Sequence, residues 1–320
     1  MRRGGPDVAG REGPDGASRA GADLAGPGTV ALRERAFDGS LAADLAARPP
    51  CTGPGAAELR WLGQAGFAID VDGRRLLIDP YLSDSLARRH ANGRWSHARL
   101  MPAPIPPEAL EGIDLVLCTH RHGDHMDPDT LAPLARSHPD LQFVVPAASV
   151  DEARMRADVG DDRLVPVDAG EAVEPLPGVR VRAVAAAHER LEVDAAGRHV
   201  WLGYAIEAAG LAIYHSGDTV PYPGLAGTVR ALAPDLALLP VNGRDAERLA
   251  AGVPGNLTLD EATALCRQAG VGRMIAHHHG MFAFNTIAAE EIDARVAPEA
   301  AAGLALVRAR TGRAWRLGTG

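Results

Sequence analysis

Residues 119–127 read Thr-His-Arg-His-Gly-Asp-His-Met-Asp, so three histidines and an aspartate fall within six positions, His120, His122, Asp124 and His125. Imidazole and carboxylate donors packed this closely are the material of a metal site. His120 and His122 are two apart, and in an extended segment leaving a strand both rings project to one side. Asp124 and His125 follow Gly123, whose freedom to bend turns them toward a second point. One loop is therefore expected to serve two metal ions, with further ligands arriving from elsewhere.

The candidates for those ligands share a position. His188 lies just past the apolar run 184–187, Asp218 follows the run 211–215 in Ser216-Gly217-Asp218-Thr219, and His277-His278-His279 ends the run 272–276. Asp79 likewise closes a buried run and opens a turn, where an ordinary turn aspartate is the alternative. Side chains at the carboxyl ends of strands in layered α/β folds converge on one crevice. In the triplet, alternation sets His277 and His279 on the face opposite His278, so one set points at the metals. His90, His97, His138 and His199 stand in polar surroundings and are expected at the surface.

Stepping out from these residues, the elements that must hold them are legible. The apolar run 113–119 reads as a buried strand, and Asp127 followed by Pro128 reads as a helix N-cap and first helical residue, so the ligand loop is clamped between strand and helix. The apolar runs 58–71 and 74–79 on either side of Asp72-Gly73 predict a hairpin of two strands, and the runs flanking Ala209-Gly210 predict another. Thr258 and Glu261 form a capping box that opens a helix ended by Gly270. Residues 86–107 carry Arg88, Arg89, His90, Arg94, Trp95 and His97 and are expected as a loop or lid. Residues 31–47 predict a short amphipathic helix broken near Gly39, and residues 304–317 a closing hairpin around Thr311-Gly312. Strands at 141–146, 165–167 and 179–185 with a helix at 151–157 favour an α/β layered architecture.

Composition narrows the function classes. A net charge of −8 and 4% aromatic residues argue against a nucleic-acid binder, which needs a basic surface and stacking platforms. Cys51, Cys118 and Cys266 are few and widely spaced, which suits a reducing cytoplasm and supplies neither a disulfide framework nor a cysteine zinc site. No run reaches the length of a membrane span. Residues 1–30, rich in Gly, Ala, Asp and Arg, are expected to be a disordered tail, 31–56 a short helical lead-in and 57–320 the catalytic domain.

The motif His120-Arg-His122-Gly-Asp124-His125, with later single His, Asp and His, resembles the metallo-β-lactamase-fold hydrolases. Within them the chain is most similar to the L-ascorbate-6-phosphate lactonase-like branch, through Trp61-Leu-Gly-Gln-Ala-Gly-Phe67, Ile78-Asp-Pro-Tyr-Leu-Ser-Asp84, Ala187-His-Glu189, Tyr214-His-Ser-Gly-Asp-Thr219, Asn242-Gly-Arg-Asp245, Gly255-Asn256 and His278-His-Gly-Met-Phe282. The resemblance implies an αββα sandwich of four layers with a binuclear site at one end. It assigns His120, His122 and His188 to the first metal, Asp124, His125 and His278 to the second, and Asp218 to the bridge. His278 is chosen because the family's ligand stands one residue before a Gly/Asp-Met-Phe motif. Asp79 matches the family's acidic residue that steadies the loop by hydrogen bonding.

Imidazoles and carboxylates suit two divalent ions, zinc or manganese foremost, with iron also admitted. Two cations sharing a water lower its pKa from about 15.7 toward about 7, so a metal-bound hydroxide is the expected nucleophile. Asp124 would orient it or pass a proton to the leaving group. Arg244 is the candidate for holding a carboxylate or phosphate, with a pairing to Asp245 as the alternative. Asn242, Asn256, Met281 and Phe282 enter as pocket residues by resemblance. The expected activity is a metal-dependent hydrolase opening a lactone or cleaving an ester of a small anionic substrate, with a homo-oligomer admitted. The alternatives are a phosphodiesterase of the N-acyl phosphatidylethanolamine-hydrolysing type, a non-catalytic metal-bound sensor, or a redox di-iron site.

Overall fold

The computed structural model describes residues 30–319. In chain order the strands are β1 (Val30–Ala36), β2 (Ala56–Gly63), β3 (Gly66–Val71), β4 (Arg74–Ile78), β5 (Leu115–Leu117), β6 (Gln142–Pro146), β7 (Leu164–Val167), β8 (Ala172–Leu176) and β9 (Val179–Ala185). They continue with β10 (Ala187–His188), β11 (Arg190–Leu191), β12 (Leu202–Ala208), β13 (Leu211–His215), β14 (Leu236–Pro240), β15 (Arg273–His277), β16 (Ala305–Arg308) and β17 (Arg313–Thr319). One sheet runs β1-β17-β2-β3-β4-β5-β6-β7 and the other β16-β15-β14-β13-β12-β9-β8, with β10-β11 a small separate ribbon.

Both sheets are mixed, one half antiparallel through hairpins and through the long-range pairs β1–β17, β17–β2 and β9–β12, the other half parallel through crossovers. Leu59, Phe67, Ile69 and Trp315 of the first sheet share one buried cluster with Val181, Tyr204, Ile206 and Ile275 of the second. The outer face of the first sheet is covered by the helices Pro128–Ser137 and Val150–Ala157 through Leu131, Leu134 and Ala153. Leu225–Leu232, Leu259–Ala269 and Ala289–Ala301 cover the second through Val229, Leu265 and Ile292. Helix, sheet, sheet and helix thus form the α/β sandwich of four layers. Among the described residues no helix is long and apolar enough to cross a membrane.

Local chemistry explains the elements that carry the site. Asp72 (φ 51°) and Gly73 (φ 72°) are both left-handed, the conformation a two-residue hairpin loop requires, and they join β3 to β4. The capping box of Thr258 and Glu261 is present, and Gly270 ends that helix at φ 76°. β4 and β5 run parallel, as do β13, β14 and β15. Their carboxyl ends deliver Asp79, the 119–127 loop, Asp218 and His278.

Three expectations need correction. Residues 31–47 form β1 followed by the helix Leu41–Ala47, because β1 finds its partner β17 at the other end of the chain. The stretch 58–71 is two strands, since the chain reverses at Gln64-Ala65 with Gln64 at φ 50°. Residues 304–317 are no hairpin: β16 pairs parallel with β15 while β17 joins the opposite sheet beside β2. The first and third errors share a cause, a partner strand remote in sequence that local alternation does not reveal, whereas the second is a tight turn whose apolar Ala65 continues the texture of the strands around it. The tail expected at residues 1–30 lies outside the described residues except for Val30, which opens β1.

Candidate metal centre

The loop that follows β5 is fixed at both ends. Asp127 caps the helix Pro128–Ser137, accepting from the Asp129 N–H at 3.3 Å and the Thr130 hydroxyl at 2.6 Å. Between these ends the N–H groups of His125 and Met126 both donate to the His122 carbonyl, closing one tight turn. Gly123 is not left-handed, and a Cβ there would lie 2.7 Å from Leu86 Cδ2, a contact that a shift of the Leu86 side chain relieves. Gly217, before Asp218, is needed for two reasons: its φ is +60° and a Cβ would meet the Leu202 carbonyl at 2.2 Å.

Seven side chains converge in two sets. His120, His122, His188 and Asp218 form one and Asp124, His125 and His278 the other, each with its donor atoms within 4.8 Å of one another. Asp218 lies between them, its Oδ2 being 3.8 Å from His188 Nε2, 3.4 Å from His125 Nε2 and 3.3 Å from His278 Nε2. Asp124 Oδ2 is 3.8 Å from His125 Nε2 and 3.9 Å from His278 Nε2. Of the triplet, His278 alone faces these carboxylates, at φ 60°, whereas His277 stacks on His215 and His279 on Trp61.

Buried donor atoms here lack partners. His120 Nε2, His125 Nε2, Asp218 Oδ1 and both ring nitrogens of His278 make no hydrogen bond. Each such atom costs about 1–3 kcal/mol when left unpaired, so a packed cluster of them is a poor arrangement for stability alone. Nitrogen and carboxylate donors oriented inward and left open fit divalent cations.

The rings are held from behind. The Nδ1–H of His125 donates to Asp79 Oδ2 at 2.7 Å, and Asp79 also accepts from the Thr119 N–H at 2.7 Å and hydroxyl at 2.6 Å. With its proton committed to Asp79, the Thr119 oxygen accepts from His120 Nδ1 at 3.0 Å. His188 Nδ1 donates to the Gly255 carbonyl at 3.2 Å. All three rings therefore present Nε2 to the centre, the tautomer a metal ligand needs.

Electrostatics follow from burial and charge. Burial, with the neighbouring imidazoles, pushes His120 well below the usual histidine range, and burial takes His188 down to about 4. Burial opposes the charge on His125 too, but Asp218, Asp79 and Asp124 outweigh it and lift its pKa. Asp218 is pulled well down by His278 and His125 against its own burial, and Asp124 is lowered by the same rings.

The substrate candidates are placed differently from expectation. Arg244 grips Glu261 through two 2.6 Å bonds, so neither a free guanidinium nor a pairing with Asp245 is observed. Asp245 instead caps the helix Ala246–Ala250 and pairs with Arg248. Asn256 donates to Asn242 at 3.1 Å and Asn242 to Asn285 at 2.8 Å, a buried amide chain. Asn242 and Arg244 line a cavity of ≈ 580 Å³ to which none of the seven donors contributes. Met281 and Phe282 are buried beside Tyr81. His97, expected at the surface, is half-buried because its segment packs on His90, Phe282 and Phe284.

Two contributors carried little sequence signal. The Trp201 ring packs 5.0, 4.9 and 5.2 Å from His120, His122 and His188. Gln64 donates to Asp124 at 2.8 Å. The flanking glycines of Gly63-Gln64-Ala65-Gly66 were the one hint that this stretch turns.

Comparison with known proteins places the chain. Residues 74–279 match the family described as beta-lactamase superfamily domain. A UPF0173 metal-dependent hydrolase of Polynucleobacter asymbioticus is 30% identical over 250 residues, covering 66% of this chain and 77% of that protein. Igni18, a metallo hydrolase of Ignicoccus hospitalis, superposes with TM-score 0.57 at 21% identity over 80% of this chain and 96% of that one. An isothiocyanate hydrolase from Delia radicum gut bacteria gives TM-score 0.63 at 16% identity over 80% and 97%. At these identities the two structures speak for the shared fold.

Proposed function

The chain belongs to the beta-lactamase superfamily, among the UPF0173 metal-dependent hydrolases, and from that premise we propose a binuclear centre that opens a lactone or cleaves an ester in a small anionic substrate. The observation that carries this reading is Asp218, whose carboxylate stands within reach of both donor sets. His120, His122 and His188 would hold one ion, Asp124, His125 and His278 the other, and Asp218 would join them. Such ions, zinc or manganese by donor type, supply a Lewis-acidic charge that brings the pKa of water from about 15.7 toward about 7.

The chain's own residues divide the remaining work. The Asp124 side chain is 16% exposed against 4% for Asp218, so Asp124 is the carboxylate that can orient an attacking water or hand a proton to the leaving group. Asp79, through Thr119 and His125, keeps two rings in one tautomer. Trp201 shields the backs of three rings from water. Arg244 supplies the charged side of substrate recognition, while Asn242 and Asn256, bonded to each other, and Met281 and Phe282, packed beside Tyr81, would act by shaping the walls around it. Arg244 must exchange Glu261 for the substrate's anionic group, since a guanidinium fork serves one carboxylate or phosphate at a time.

The test is metal analysis of the purified protein together with a panel of lactones, phosphodiesters and thioesters. Lactone turnover that disappears with a chelator and returns with added metal supports the reading. Turnover confined to phosphodiesters, or metal binding without hydrolysis, overturns it.

A further inference from the structure

Gln64, the polar half of the β2–β3 turn, is fully buried, and of the two donor sets its hydrogen bonds reach only one. Its side-chain Nε2 donates to Asp124 Oδ2 at 2.8 Å. A carboxylate only accepts, so the amide must present its NH2 to Asp124. The same Asp124 oxygen, Oδ2, is the one that stands 3.8 Å from His125 Nε2 and 3.9 Å from His278 Nε2. Meanwhile the Gln64 backbone carbonyl accepts the His278 N–H at 2.9 Å and the Trp61 indole N–H at 3.0 Å. Gln64 (φ 50°) and His278 (φ 60°) are both left-handed non-glycine residues, a conformation that persists where surrounding contacts fix it.

The first set is braced by other means. His188 leans on the Gly255 carbonyl, His120 on Thr119, and three of its rings pack about Trp201. No hydrogen bond of Gln64 among the described residues reaches His120, His122 or His188.

We propose that Gln64 is a positioning residue for the second ion alone: its amide makes Asp124 a ligand through a single oxygen, and its carbonyl sets His278. With one lone pair of Oδ2 taken by Gln64, the other would be the one offered to a cation. Asp124 cannot then swing away to pair with solvent. This inference rests on the binuclear reading above.

The test uses the full chain, stripped with a chelator and titrated with Zn2+ or Co2+, reading the affinity of each equivalent by chelator competition and the Co2+ absorption spectrum. Gln64→Met keeps the size and removes the donor. Gln64→Asn keeps an amide one methylene too short and tolerates a left-handed backbone. Both variants are expected to bind the second equivalent about 10–100-fold more weakly while the first equivalent and its Co2+ spectrum stay at the wild-type value. Circular dichroism reports that both are folded. Two equivalents bound with wild-type affinity in both variants, or an equal loss of both, overturns the role of Gln64 and leaves the binuclear reading standing. A wild-type protein that takes up a single ion overturns both.

Discussion

Asp79 Oδ2 lies 2.7 Å from His125 Nδ1, and both side chains are wholly buried. The same carboxylate takes both the N–H and the hydroxyl of Thr119, so one acid governs the loop's entry and the aim of His125. Asp79→Asn cannot accept from every one of these donors. It is expected to lower metal affinity about 10–100-fold with little change in secondary structure. Chelator competition beside circular dichroism checks this, and unchanged affinity would remove Asp79 from the site.

Acid should weaken the metal-free protein. His188 and His279 both have folded pKa values pushed down to about 4 from 6.5, chiefly by burial. Between those values the unfolded chain binds more protons, so their contribution is full above about pH 6.5 and is lost as pH falls through about 4. Denaturant midpoints of the chelated protein from pH 7 to pH 4 should fall in that window. A flat profile would contradict it.

Arg60 offers a test of the scaffold away from the site. Fully buried, it pairs with Asp44 at 2.6 Å, Glu58 at 2.5 Å and Asp70 at 2.8 Å, tying the helix Leu41–Ala47 to β2 and β3. Arg60→Ala leaves Asp44 and Glu58 to Arg35 and Asp70 to Arg75 around a buried void, and is expected to destabilise the fold by less than the about 3–5 kcal/mol of a buried charge left with no partner. Urea unfolding at neutral pH measures it. Folded enzyme should keep its metal content.

The tie between Arg244 and Glu261 predicts a latch. Glu261→Gln removes the charge that occupies the guanidinium, so an anionic substrate should bind more tightly, with KM falling and kcat nearly constant. Because Glu261 also completes the capping box of its helix, thermal stability should drop by about 1 kcal/mol or less. A KM unaffected by the substitution would take Arg244 out of substrate recognition.

Much of this was legible because the signals were local. The 119–127 loop, the acids and histidines at strand ends and the hairpin at Asp72-Gly73 each follow from composition over a few residues. The reversal at Gln64-Ala65 was hidden, since Ala65 and Phe67 continue the apolar texture through the turn. Whether Arg244 would meet Asp245 or Glu261 depended on how a helix start seventeen residues away packs on its loop. The pairing of β1 with β17 joins the two ends of the described chain, and no window of sequence contains both.

The central claim is that Asp218 joins two ions. The most direct measurement is metal content per chain for the wild type and Asp218→Ala, read with lactone hydrolysis on the same samples. Two divalent ions are expected in the wild type, loss of at least one in the variant, and a rate lower by more than about 100-fold. An Asp218→Ala protein that keeps both ions and hydrolyses at the wild-type rate would contradict it.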